Sequence, residues 1–173
     1  MKTRLLFLSL CAAALVAGCG KKETSASTTA SAQPAAASAK TDSTADKSAA
    51  RVIEITANDQ MKFNVATIEA KAGEQLKVVL KNVGALPKEA MGHNWVLLKA
   101  GTDVATFATT ASTARATEYI PDALKGQVVA HTKLLGPGQT DEVTFTVPAA
   151  GEYPFLCSFP GHFALMKGTL TVK

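Results

Sequence analysis

The chain has 173 residues, room for one domain with appendages. Its formal net charge of +4 does not argue for nucleic-acid binding, because residues 51–173 carry 12 Lys/Arg against 11 Asp/Glu and most of the excess lies in the first fifty residues. Three cysteines occur, and only Cys157 falls beyond residue 50, which excludes a disulfide within the stretch that can fold and leaves one thiol to be explained.

Residues 1–18 read as a signal peptide. Lys2 and Arg4 form a positive start, and Leu5 to Val16 is an apolar run broken only by Ser9, too short to span a membrane comfortably. The run ends in Leu15-Val16-Ala17-Gly18-Cys19, which resembles the bacterial lipoprotein signal, so Cys19 is expected to be acylated and to become the mature N-terminus. Gly20 stands where an inner-membrane retention signal would place Asp, which favours the outer membrane. From Gly20 to Ala50, 21 of 31 residues are Ala, Ser or Thr, with no large apolar side chain to offset ordering entropy. Residues 19–50 therefore read as a lipidated cysteine and a flexible tether, with an end-to-end reach on the order of 30 Å.

Residues 51–173 read as one all-β domain. Val52–Ile55, Leu76–Leu80 and Glu142–Val147 are alternating runs rich in β-branched residues, and Trp95–Leu98, Gln127–Ala130 and Thr169–Val172 add further strands. Turn signals fall at Ala72-Gly73, Gly136-Pro137-Gly138 and Ala150-Gly151. Asp103 to about Tyr119 is Ala/Thr-rich without turn residues and is expected to hold a short helix. Seven or eight short strands over this length imply a two-sheet Greek-key sandwich with a short helical insertion.

The chemistry is concentrated in Cys157-Ser158-Phe159-Pro160-Gly161-His162-Phe163-Ala164-Leu165-Met166, a loop between a strand ending at Leu156 and a last strand starting near Gly168. Pro160-Gly161 turns the chain so that Cys157 and His162 can face one centre, with Met166 approaching from the side. His93, just ahead of the strand at Trp95, can reach the same end of a sandwich, where loops distant in sequence cluster. Two imidazoles, a thiolate and a weak axial thioether make a blue-copper electron-transfer site, whereas zinc prefers four firm ligands. The remaining histidine, His131, lies in a polar stretch and reads as a surface residue.

Around these residues the chain resembles the azurins, cupredoxins with a type 1 blue-copper site, in their lipid-modified membrane-anchored form. Asn58-Asp59-Gln60-Met61, Leu86-Pro87-Lys88, Met91–Leu97, Ala130–Leu134 and Cys157–Leu170 carry the resemblance. It implies a cupredoxin sandwich of eight strands with a helical flap, and one copper ion at one pole. It also implies a long axial contact from the backbone carbonyl of Gly92, and a supporting role for Asn94, whose hydrogen bonds stiffen the ligand loops. By match to the family's hydrophobic patch, partner docking falls on Met61, Leu86, Met91, Phe159, Pro160 and Ala164.

The chain departs from that family in two places. It lacks the cysteines of the usual N-terminal disulfide, with Gly73 about where one would stand. It also has Asn82 near the place of a histidine that often precedes the Leu-Pro-Lys segment.

The expected function is electron shuttling by a periplasm-facing, membrane-anchored protein rather than enzymatic catalysis. Three histidines in the whole chain are too few for a second, catalytic copper, and the thiolate in a tight loop argues against a copper carrier that must release its metal. The implied partners are periplasmic redox proteins such as c-type cytochromes, nitrite reductase or cytochrome c peroxidase, with the membrane contacted through the lipid.

Overall fold

A computed structural model describes residues 49–173. The signal, Cys19 and nearly all of the tether lie outside the described residues. Within them, no helix is long and apolar enough to cross a membrane.

The chain order is β1 (Arg51–Asn58), β2 (Lys62–Phe63), β3 (Thr67–Ala70), β4 (Gln75–Asn82), α1 (Lys88–Met91), β5 (Val96–Leu98), α2 (Val104–Ala111), β6 (Val128–His131), β7 (Thr140–Thr146), β8 (Gly151–Leu156) and β9 (Lys167–Val172). One sheet has the order β2-β1-β4-β7 and the other β3-β9-β8-β5-β6. The pairs β1–β4 and β3–β9 are parallel, and the rest are antiparallel. This is the two-sheet sandwich expected from the sequence.

Alternation puts one row of most strands inside, while β5 is buried throughout. In β4 that row is Leu76, Val78, Leu80 and, at the end nearest the candidate site, Asn82. Trp95, fully buried, joins the sheets by packing on Phe145 and Phe155, with ring centroids 6.1 Å and 5.6 Å away. Asn82 is also fully buried, and both ends of its amide are used: Nδ2 donates to the Leu135 carbonyl (3.2 Å) and Oδ1 accepts from the Gly84 N–H (2.9 Å). A side chain that cannot titrate thus fills the place noted above for a missing histidine.

Every strand expected from alternation is present. Two further ones, β2 and β3, are so short that alternation leaves almost no trace. β3 buries only Ile68 and Ala70 and gains its place by pairing with β9. The expected helix is α2. Asp103 caps it by accepting from the Thr106 N–H (2.6 Å), and its exposed threonines bond back to carbonyls four residues earlier, Thr109 to Ala105 and Thr110 to Thr106. That back-bonding lets a threonine-rich segment stay helical while Phe107, Ala108 and Ala111 enter the core.

Candidate metal centre

Three loops converge at one end of the sandwich. The first runs from α1 to β5. Pro87 starts a single helical turn, and Gly92 then fits where a Cβ would lie 2.7 Å from the Lys88 carbonyl oxygen and 3.1 Å from the Leu134 side chain. Only glycine passes there, and it delivers His93 to the site. His93 is locked to a second loop, after β6, by a two-way backbone bridge: its N–H donates to the Leu135 carbonyl (3.1 Å) and its carbonyl accepts from the Leu135 N–H (2.8 Å).

The third loop joins β8 to β9. Gly161, with φ of 82°, makes the turn foreseen at Pro160-Gly161, in a conformation that suits glycine. The loop then closes on itself. The Met166 N–H donates to the His162 carbonyl (2.8 Å), and the Cys157 N–H donates to the Met166 carbonyl (2.9 Å). The backbones of Cys157, His162 and Met166 are therefore tied together by the loop's own hydrogen bonds.

One donor atom from each of His93, Cys157 and His162 lies within 4.8 Å of the others. Cys157 Sγ is 3.7 Å from His162 Nδ1, and the two imidazole centroids are 5.0 Å apart. Metal bonds of about 2.0–2.3 Å set near 120° apart would separate an S and an N donor by roughly 3.7 Å. Cys157, His93 and Met166 are fully buried and His162 is 3% exposed. Both ring nitrogens of His93 are buried without a hydrogen-bond partner. Buried polar atoms are rarely left so, and an ion held by one of these two nitrogens would account for that one.

Burial dominates the electrostatics of the cluster. Burial pushes the Cys157 thiol up to about 11, outweighing the peptide N–H groups around it. Burial, with His93 alongside, pushes His162 down to about 4. Burial also holds His93 below its ordinary value, partly opposed by the carboxylate of Asp59. Without an ion the site holds a neutral thiol and neutral imidazoles, so a metal must displace the thiol proton and meets no positive charge from the rings.

Asn94 joins two of the loops. It is fully buried, accepts from the Ser158 N–H (2.8 Å), and donates through Nδ2 to Ser158 Oγ (2.8 Å) and to the Glu118 carbonyl (3.2 Å). Of the residues expected at a docking patch, Leu86, Pro160 and Ala164 are exposed, Met61 and Met91 are half-buried, and Phe159 is 8% exposed beneath them, its ring 4.6 Å from that of His162. The structure adds Leu165, 60% exposed between Ala164 and Met166, which the sequence reading did not single out. His131 stands apart: exposed, on β6 at the edge of its sheet, with Nδ1 against the Thr132 carbonyl (3.0 Å). Sequence reading also passed over Glu118, whose contacts arise only in the folded chain.

A family model described as copper binding proteins, plastocyanin/azurin family, matches residues 49–173. The chain is 45% identical to azurin of Pseudomonas aeruginosa over 126 residues, covering 70% of this chain and 84% of that protein. It is 47% identical to azurin of Bordetella pertussis over 122 residues, covering 68% and 81% respectively. Among solved structures, auracyanin A, a "blue" copper protein from Chloroflexus aurantiacus, superposes with a TM-score of 0.65 at 34% identity, covering 72% of this chain and all of that one.

Proposed function

This chain belongs to the plastocyanin/azurin family of copper-binding proteins, and from that premise we propose that it carries single electrons between exported redox proteins while tethered to a membrane by lipid on Cys19. It is a blue-copper electron-transfer protein and not an enzyme, its cofactor is one type 1 copper ion, and its partners are redox proteins. The observation that carries the site assignment is the buried cluster in which one donor atom each of His93, Cys157 and His162 lies within 4.8 Å of the others.

In this reading Cys157, His93 and His162 would be the firm ligands of the copper ion, with Met166 and the Gly92 carbonyl as weaker contacts. Bound copper supplies one-electron chemistry between its Cu(I) and Cu(II) states. The residues of the chain supply the rest. Hydrogen bonds within the Cys157–Met166 loop and the bridge from His93 to Leu135 fix the backbones that carry these residues, which would limit rearrangement between the two states. Cys157 would bind the ion as the thiolate, its proton passing to solvent. His162, packed on Phe159, is 3% exposed where His93, Cys157 and Met166 are fully buried, and is the entry for electrons in this reading. The apolar rim of Met61, Leu86, Met91, Phe159, Pro160 and Ala164 suits brief docking, since redox encounters use small interfaces.

Titrating the metal-free protein with Cu(II) tests this reading. An intense blue thiolate-to-copper band should saturate at about one equivalent, followed by a reversible one-electron wave in voltammetry. A colourless complex, or an end point near two, would refute the assignment.

The domain division follows the same reading: residues 1–18 are removed, residues 19–50 anchor and tether, and residues 51–173 carry the copper. We place the domain in the periplasm, at the outer membrane, where c-type cytochromes, nitrite reductase or cytochrome c peroxidase are partners of the right chemistry. Cys19→Ala should move the protein from the membrane fraction to the soluble fraction and leave the blue band unchanged. Wild-type protein found wholly in the soluble fraction would end the lipoprotein reading.

A further inference from the structure

Two consecutive residues, Glu118 and Tyr119, have φ of 52° and 64°. The left-handed region is costly for residues with side chains, and such pairs persist only where the surroundings over-determine them, often at functional sites. Here they follow a 3-10 turn over Arg115–Thr117 and are held by the Glu118 N–H donating to the Arg115 carbonyl (3.2 Å) and the Tyr119 N–H to the Ala114 carbonyl (2.9 Å). The segment belongs to none of the three loops that form the candidate centre, yet it touches all of them.

Glu118 makes three separate contacts. Its Oε1 accepts from Lys88 Nζ (2.9 Å), in the helical turn that leads to Gly92 and His93. Its Oε2 accepts from the Leu134 N–H (3.1 Å), one residue before the Leu135 bridge to His93. Its carbonyl accepts from Asn94 Nδ2 (3.2 Å), the same amide that grips Ser158 beside Cys157. Tyr119 completes the set: 7% exposed, it packs edge-on against Phe159 (5.1 Å), whose other neighbour is the His162 ring. The Glu118 carboxyl lies below its ordinary range although partial burial opposes this, because Lys88 and the Leu134 N–H favour the carboxylate.

We propose that Glu118 is a positioning residue for the copper centre: its left-handed backbone aims carbonyl and carboxylate in different directions, and so braces the His93 and Leu135 loops directly, and the Cys157 loop through Asn94, from one point. The inference rests on the ligand assignment proposed above. An ordinary backbone conformation at Glu118 would reach some of these partners and lose the others. The strain is thus the geometric condition for the three-way grip.

The test compares copper-loaded full-length wild type, Glu118→Asn and Glu118→Gln. Asparagine tolerates the left-handed conformation but is too short to make both side-chain contacts. Glutamine keeps an oxygen for the Leu134 N–H and loses the ion pair. Glu118→Asn should speed loss of copper to a competing chelator roughly 10-fold or more, the usual effect of removing a group that orients metal ligands, and should change the copper hyperfine splitting in electron paramagnetic resonance. Its metal-free melt should stay near wild type, and Glu118→Gln should fall between the two in copper loss. Should Glu118→Asn fold poorly, Glu118→Gly, at ease with this φ, takes its place.

Wild-type copper loss and an unchanged spectrum in the folded variant would overturn the proposal. So would a lowered melt with no change at the copper, or Glu118→Gln losing copper as fast as Glu118→Asn. A wild type with no blue band would instead refute the ligand assignment, which separates the two failures.

Discussion

Changing Cys157 to serine should abolish the blue band entirely, while changing His131 to alanine should leave it intact. The band is charge transfer from thiolate sulfur to Cu(II), and Cys157 is the one cysteine among the described residues. A serine hydroxyl would have to lose a proton far more tightly held than that of a thiol, in a pocket where burial already pushes the thiol up to about 11. The variant should still fold, because Cys157 and serine are close in size and the loop is held by backbone bonds from Cys157 to Met166 and from Met166 to His162. His131 is exposed and away from the cluster of His93, Cys157 and His162. Absorption spectra of the three proteins loaded with Cu(II) decide the matter. A blue colour surviving the loss of Cys157, or lost with His131, would mean that the centre has been misplaced.

Copper removal should cause the largest change in stability. No disulfide constrains the described domain, so its metal-free form depends on the core alone. A ligand that binds only the native state stabilises it by about 4 kcal/mol when free metal is a thousand times the dissociation constant. For a domain of this size that is on the order of 15 °C in melting temperature, and tighter binding enlarges the gap.

The metal-free form should also show a defined pH profile. His162 is depressed from 6.5 to about 4 and His93 is depressed too. The stability they allow is therefore present above about 6.5 and is lost as pH falls from there through about 4. Cys157 is raised from 9.0 to about 11, so its contribution is present below about 9 and lost as pH rises toward 11. Metal-free protein should thus be most stable between about pH 6.5 and 9. Copper should flatten the acid limb by occupying the nitrogens that protons would take. Thermal melts with and without copper across this range are the measurement, and a thiol reductant should not move the metal-free melt. A reductant-sensitive melt, or equal melts with and without copper, would contradict this account.

The parts of the centre that are local in the chain were legible in the sequence. Cys157, His162 and Met166 lie in one ten-residue loop between strands, and their spacing, with Pro160-Gly161 to turn the chain, brings the donor atoms of Cys157 and His162 to one side. The inward rows of β4 and β7 were equally readable, because period-two burial is written into each strand separately. What depended on partners was not. β3 has too few residues to announce itself and exists by pairing with β9.

The choice between histidines is also tertiary at bottom. His131 pairs with Val96 across β5 and β6, while His93 lies just before β5 on the bridge to Leu135, so two histidines near the same strand pair end in different surroundings. Its place just ahead of a strand pointed to His93, but its unpartnered ring nitrogens are visible only in the packed molecule. Glu118 is the clearest case. Its partners Leu134, Asn94 and Lys88 lie 16, 24 and 30 positions away, and a backbone conformation that its residue type does not favour is needed to meet all three. Residue type and local spacing specify which donors a loop can offer. Which distant loops are held against it, and by what, is set by strand register and by strain that the rest of the fold sustains.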